Sequence, residues 1–133
     1  MKLADGYKTD AGFDLAEDHI GPFYYRRKEG GMDCAFIASD HHCNVNGTVH
    51  GGILMTFADY SLCMAATNGY DEESCVTVSF SSEFTAAAEL GNIVSCRPRI
   101  TRKTGSMVFL TGDIVCKEEV CLTFSAVVKR IRQ

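Results

Sequence analysis

No stretch of this sequence stays apolar long enough to cross a membrane. The longest run, residues 53–67, falls short of the about 20 residues that a spanning helix needs, and Asp59 sits in its middle. An excess of positive charge is also lacking: 13 Lys and Arg face 17 Asp and Glu, a net charge of −4. That balance argues against binding nucleic acid or anionic lipid, which relies on a broad positive surface. An anionic small ligand needs no more than a local basic patch and stays open. The opening residues, MKLADGYKTD, hold no apolar core of the kind a secretion signal carries. No C-x-x-C pair occurs among the seven cysteines. An odd number without paired spacing reads as reduced thiols packed as small hydrophobes, which predicts a reducing, cytoplasmic location. There is no internal repeat, low-complexity tract or break in composition. Residues 1–133 are therefore expected to form one domain, with residues 1–20 its least defined part.

What is present is a normal share of hydrophobic residues, 46%, laid out in two periodicities. A short helix is expected near Asp14–His19. Residues 22–28 and 32–39 read as two strands joined by a tight turn at Gly30-Gly31. Residues 39–52 are rich in turn formers and make a structured loop. From Gly51 to about Asn68 the chain is too long and too rich in Ala, Leu and Met for a strand. It reads as one buried helix, ended by Asn68-Gly69. After Ser74 the pattern alternates with period two: Val76, Val78 and Phe80; then Val94, Cys96, Pro98 and Ile100; then Leu122, Phe124, Ala126 and Val128. Leu90-Gly91-Asn92, Lys103 to Ser106 and Lys117-Glu118-Glu119 mark short turns between strands, and short turns join antiparallel neighbours. The expectation is an α+β fold, an antiparallel sheet of about six strands wrapped around one long buried helix. One helix cannot cover both faces and both edges of such a sheet, so pairing with a second copy is expected.

The chemistry concentrates in Asn44 to Gly52 and in Asp59. Gly51 and Gly52 fall at the helix start, where backbone N–H groups lack internal partners and the macrodipole is positive. Glycine lets a ligand come close to those donors, which suits a phosphate or an oxyanion forming on a carbonyl. Asp59 is the one charged residue between His50 and Asp71. A carboxylate on a buried helix is costly unless it is bonded to hydroxyls, such as those of Ser61 or Tyr60, or serves a function. Eight residues of helix place Gly51 and Asp59 about 12 Å apart, too far for both to grip one bond. Two helices facing each other across a twofold would bring one chain's Gly51 beside its partner's Asp59.

The string Asn44-x-x-Gly47-Thr48-x-His50-Gly51-Gly52, followed by Asp59, resembles the phenylacetate-pathway and related acyl-CoA thioesterases of the hotdog superfamily. The likeness continues through Val76-Thr77-Val78, Leu90-Gly91 and Thr104-Gly105-Ser106, over about residues 30–130. It implies a hotdog fold and hydrolysis of an acyl-coenzyme A. Gly51 N–H, assisted by the Asn44 side chain, would polarise the thioester carbonyl. Asp59 of the facing subunit would act as general base on water or as nucleophile, and the hydroxyl of Thr77 would help to orient the water. His50 and Gly52 would border the thioester, with His50 supporting the loop. The resemblance implies no metal or redox cofactor, coenzyme A entering as part of the substrate, and a homodimer or dimer of dimers with its site between subunits.

Coenzyme A carries phosphates, and Arg97, Arg99, Arg102 and Lys103 place four cations in seven residues. Arg102 and Lys103, with Thr104 and Gly105 in the turn that follows, are the expected phosphate contacts; a solvated strand face is the other reading. His41-His42-Cys43 lacks a second pair at metal-binding spacing, so no metal site is expected. Two further functions share such a fold. A non-catalytic acyl-CoA binding module would have no need of Asp59. A dehydratase typically uses a His before a Pro-rich loop, whereas Gly-Gly-Ile-Leu follows His50 here.

Overall fold

The computed structural model describes residues 1–132. Asp14 opens helix α1, Leu15–Ile20, by accepting the Glu17 N–H at 3.0 Å. Its last carbonyls are held by two histidines. His41 Nε2 lies 2.7 Å from Gly21 O, and His42 Nε2 lies 2.8 Å from Ile20 O. His42 Nδ1 accepts the Ser39 N–H at 2.9 Å, so its ring is the neutral tautomer that donates from Nε2. Burial lowers its pKa further. The two histidines thus fasten the N-terminal segment to the loop before the long helix.

Strands β1, Tyr24–Lys28, and β2, Gly31–Ile37, form a hairpin. Its two turn residues, Glu29 and Gly30, have φ of 53° and 75°, the left-handed pair that matches strand twist. Helix α2 runs Gly51–Thr67 and stops where Asn68, at φ 51°, lets Gly69 N–H close on Met64 O at 2.8 Å. Buried hydroxyls on α2 are satisfied within the helix: Ser61 donates to Phe57 O and Thr67 to Cys63 O.

The remaining strands are β3 (Glu73–Phe84), β4 (Ile93–Cys96), β5 (Arg99–Lys103), β6 (Met107–Cys116) and β7 (Glu119–Arg132). All pairs are antiparallel. The order is β1-β2-β4-β6-β7-β3, with β5 beside β6. The sheet curls around α2, which touches β2, β3, β5, β6 and β7. Its core holds Phe23, Phe36 and Phe57 at ring separations of 4.8–5.2 Å. This is the hotdog architecture.

Two details differ from the sequence expectation. Among the described residues there are seven strands, because residues 94–101 break at Arg97-Pro98, where proline offers no N–H to continue a ladder. And Val76 and Val78 face outward, 47% and 52% exposed, while Thr77 turns toward the helix. Val78 is an extra residue, since Thr77 pairs with Val128 and Ser79 with Val127. That bulge resets the alternation, and Phe80 then packs against the core.

Candidate active site

Asp59 sits on the flank of α2 that faces β3, half-buried. Thr77 Oγ1 donates to Asp59 Oδ1 at 2.6 Å. Cys63, one turn along α2, brings Sγ to 3.6 Å from Thr77 Oγ1 and 4.0 Å from Asp59 Oδ1. Its hydrogen bond to the Cys75 thiol, its burial and the Asp59 charge all push the Cys63 thiol up, so it stays protonated. Thr77 and Cys63 both approach Oδ1. Among the described residues nothing donates to Oδ2. Of the hydroxyls that could have served Asp59, Ser61 is engaged by Phe57 O and Tyr60 bonds to nothing among the described residues. The partner comes instead from a strand 18 residues on.

The start of α2 is built from the loop before it. His50 is the N-cap, and its Nδ1 accepts Gly52 N–H at 3.0 Å. Its carbonyl takes the N–H groups of Ile53 and Leu54 at 2.9 and 3.2 Å. The one donor of this first turn without a partner among the described residues is Gly51 N–H. With Nδ1 occupied, His50 holds the helix start in shape and has no lone pair to offer as a base. Asn44 Oδ1 accepts from Asn46 N at 2.9 Å, Thr48 Oγ1 at 3.2 Å and Thr48 N at 3.4 Å. Its amide Nδ2 donates to nothing among the described residues and points no lone pair at an incoming oxyanion. The Phe84 ring lies over Gly51: a Cβ there would come within 3.1 Å of it.

Lys103, Thr104 and Gly105 lie at the other end of the sheet. Glu73, the first residue of β3, accepts from Arg130 Nε at 3.1 and 3.2 Å and from Nη2 at 2.9 Å. Lys103 Nζ is 3.8 Å and Arg132 Nε 3.9 Å from the same carboxylate. These cations hold the Glu73 carboxyl below its usual range, the Arg130 hydrogen bonds contributing most. Thr104 O accepts from Arg130 at 2.6 Å and Gly105 O from Arg132 at 2.8 Å. Arg130 and Arg132 therefore join Lys103 in a basic cluster, whereas the sequence suggested one through Arg97, Arg99, Arg102 and Lys103. Their signal was the continued alternation of Lys129-Arg130-Ile131-Arg132 at the end of β7. Arg102, opposite Phe109, is exposed. Arg97 is committed elsewhere, to Asp33 at 2.8 Å and to Lys28 O at 2.9 Å in the β1–β2 turn.

One chain thus brings Thr77 to Asp59 and groups Asn44, His50, Gly51 and Gly52 at the helix start. It does not bring these two groups to each other, nor the basic turn to the helix start. Phe57 is fully buried in the aromatic core and cannot line an acyl path.

The model of the thioesterase superfamily matches residues 46–123. A Pseudomonas aeruginosa protein named "Putative esterase PA0474" is 30% identical over 129 residues, 96% of each chain. Solved structures share the fold. The Escherichia coli PaaI protein of the phenylacetic acid degradation operon has a TM-score of 0.79 at 16% identity, over 90% of this chain and 86% of its own. A thioesterase-type protein of Streptococcus pneumoniae, solved with coenzyme A, has a TM-score of 0.74 at 16% identity, over 84% and 87%. An open amide at a helix start, a carboxylate anchored from a neighbouring strand and the family match over most of the chain lead to one conclusion: the chain belongs to the thioesterase superfamily and is a hotdog-fold thioester hydrolase.

Proposed function

We propose that the chain hydrolyses an acyl-coenzyme A to free acid and coenzyme A, in a site completed by a second copy. The observation that carries this reading is the state of Asp59. Thr77 fixes one carboxylate oxygen and leaves the other free, while Gly51 N–H stands open at the start of the same helix. Water attacks the thioester carbonyl carbon as Asp59 Oδ2 takes its proton. The oxyanion that forms is met by Gly51 N–H and the Asn44 amide. Its collapse breaks the C–S bond, expels the thiolate, and returns the proton from Asp59 to sulfur. Direct attack by Asp59, through an anhydride that water then opens, uses the same groups.

The two halves are supplied by two subunits. Along β3 the order is Glu73 with the basic turn, then Thr77 with Asp59, then Phe84 over Gly51. β3 is an edge strand, paired on one side by β7. Joining it antiparallel to its twofold mate sets each chain's Gly51 end toward the other's Thr77 and Glu73. Lys103, Thr104 and Gly105, with Arg102 nearby, then approach the partner's site mouth, where the phosphates of coenzyme A would lie. Coenzyme A in the Streptococcus pneumoniae neighbour supports that substrate class. Seven free thiols suit the cytoplasm, and no helix among the described residues is long and apolar enough to cross a membrane.

The test is thiol release from acyl-coenzyme A thioesters by wild type and Asp59→Asn. We expect turnover to fall at least about a hundredfold with thioester binding retained, in the range that loss of acid–base catalysis costs. An Asp59→Asn enzyme as fast as wild type refutes the reading.

A further inference from the structure

The N-terminal segment and α1 lie along the flank of α2 next to Asp59, and between them is a cavity of about 110 Å³. Its walls combine two features that the hydrolytic groups do not use. The first is aromatic: Phe13, Tyr25, Tyr60 and Tyr70 all line it. The second is acidic. Asp10, Asp14, Glu17 and Asp18 face it, and no Lys, Arg or His does.

Three of the four carboxylates have partners. Asp10 accepts from the Tyr25 hydroxyl at 2.8 Å, Asp14 caps α1 through Glu17 N, and Asp18 accepts from Gly12 N at 2.7 Å. The Glu17 carboxylate has none among the described residues. Tyr60 is 8% exposed, and its hydroxyl has no partner either. No fully buried side-chain oxygen among the described residues is left unsatisfied, so this hydroxyl opens onto free space, and the cavity is the space it lines. The Tyr70 hydroxyl is engaged by the Cys63 thiol. Two polar groups, the Glu17 carboxylate and the Tyr60 hydroxyl, thus converge without partners in a negative, ring-walled hollow.

We propose that this cavity is a subsite for a small organic ammonium, and that it selects thioesters whose acyl group ends in one. The claim rests on the thioesterase reading above. Aromatic faces and carboxylates together attract a cation, the more so where water is excluded. An anion is repelled by four carboxylates. A methyl group would bury Glu17 and the Tyr60 hydroxyl with nothing to bond. At about 30 Å³ for each water-sized atom, the cavity holds about three or four, and it is smaller than the about 150 Å³ that accepts a benzene ring. A primary ammonium on a short stem fits; an aryl group does not. Asp59 is the neighbour of Tyr60 in α2, and its charge reaches Glu17. Burial first, then Asp14, Asp59 and Asp18, raise Glu17 to about 7. The charged and titratable groups around it come from every packed element: Lys8 and Asp10 before α1, Asp14 and Asp18 on α1, Tyr25 and Arg27 on β1, Cys34 on β2, Asp59 and Tyr60 on α2, and Tyr70 after it. Lys8 and Arg27 lie over the Tyr25 ring at 5.4 and 6.0 Å and leave the Tyr60 and Tyr70 rings to a ligand. A bound ammonium keeps Glu17 ionised, so the preference grows as pH rises from 6 to 8.

The experiment compares isosteric thioesters at two lengths. 3-Aminopropanoyl-, butanoyl- and 3-hydroxypropanoyl-coenzyme A differ at one terminal atom, as do 6-aminohexanoyl-, heptanoyl- and 6-hydroxyhexanoyl-coenzyme A. At one length or both, kcat/KM for the ammonium exceeds that for the methyl isostere by about tenfold. In Glu17→Gln this ratio falls to about one, each variant serving as its own baseline. Methyl or hydroxyl ends preferred at both lengths, or a ratio that Glu17→Gln leaves intact, overturns the proposal. Should no thioester be hydrolysed, the thioesterase reading fails by itself, and the subsite is tested by titrating n-propylammonium against the tyrosine ring resonances. Saturable shifts in wild type that vanish in Glu17→Gln support it, and their absence refutes it.

Discussion

Replacing Thr77 by Val removes one hydroxyl and preserves the shape of a β-branched side chain that a strand favours. The bond lost is the 2.6 Å contact to Asp59 Oδ1. That length is typical of a hydroxyl donating to a full negative charge, and bonds to charged groups contribute about 1.5–3 kcal/mol. Asp59 is half-buried, so water can replace part of that, which places the loss near the lower end. At 1.36 kcal/mol for each factor of ten, kcat falls about 10- to 30-fold. Cys63 cannot take over, because its thiol is a weak donor and lies 4.0 Å away. KM changes by less than about threefold, since Thr77 acts on the carboxylate and has no part in holding coenzyme A. Thr77→Ser keeps the donor and most of the rate. The assay is free-thiol release under saturating and limiting substrate, with thermal melts to show that the Thr77→Val chain folds. A Thr77→Val enzyme within about twofold of wild type, or one whose loss lies wholly in KM, would show that Asp59 is aligned by something else.

Gly112 pairs with Phe124 across β6 and β7, and a Cβ there would sit 2.6 Å from the ring and 3.4 Å from Pro98 Cα. Gly112→Ala should destabilise by about 1–3 kcal/mol, the usual cost of overpacking, and Phe124→Leu in the same chain should recover part of it in a double-mutant cycle. Lys117 and Glu118 form the β6–β7 turn at φ 52° and 67°, a strained choice for two non-glycine residues; Asn-Gly in their place should raise the melting temperature, by about 1 kcal/mol of stability. The Glu73 carboxyl is held below its usual range in the folded chain, so its stabilising contribution is present above the unfolded pKa and disappears as pH falls through the folded one. Urea midpoints of wild type and Glu73→Gln should therefore differ at pH 7 and converge as acid protonates the carboxylate. Lysines in place of Val76 and Val78 touch no core residue of their own chain; sedimentation should show fewer oligomers and the thiol assay less turnover, and an unchanged mass would remove β3 from the subunit contact.

Much of this fold could be read in advance because two local rules dominate it. The helix was legible from a run of residues without period-two alternation, bounded by glycines at one end and Asn68-Gly69 at the other. The last strand was legible because Leu122, Phe124, Ala126 and Val128 all point to the core, as alternation demands. Pro98 was readable as an apolar member of a strand but not as its break, since what excludes it is the partner strand's need for an N–H. His41 and His42 carried no useful signal: their partners are carbonyls 20 and 22 residues away, brought near only by folding. Arg130 and Arg132 were hidden for the same reason, because the glutamate that gathers them is 57 residues from Arg130. The cavity beside Glu17 was beyond reach as well. It is formed by residues 9–25 closing on α2, and the opening 20 residues hold no pattern that foretells such packing.

The misread face of β3 shows where single-chain reasoning stops. Alternation identifies an apolar face, and the inference that this face is inward assumes that the only core is the chain's own. On β3 the assumption fails: Val76 and Val78 are exposed, while the polar Thr77 takes the inward place and bonds Asp59. A purely structural strand would gain by the opposite phase, since burying two valines in place of a threonine is worth about 1.5 kcal/mol or more for each. The bulge at Val78 lets one strand do both, presenting a hydroxyl to the helix over its first half and Phe80 to the core over its second. A 12-residue edge strand with valines outward and open backbone groups is unfavourable for a solitary protein, and edges of that kind are normally shortened, charged or covered. The same strand lies between the anchored carboxylate and the open amide, which one chain holds apart along α2. In the dimer proposed above, one contact both covers this edge and completes the site, and that proposal accounts for the phase of β3.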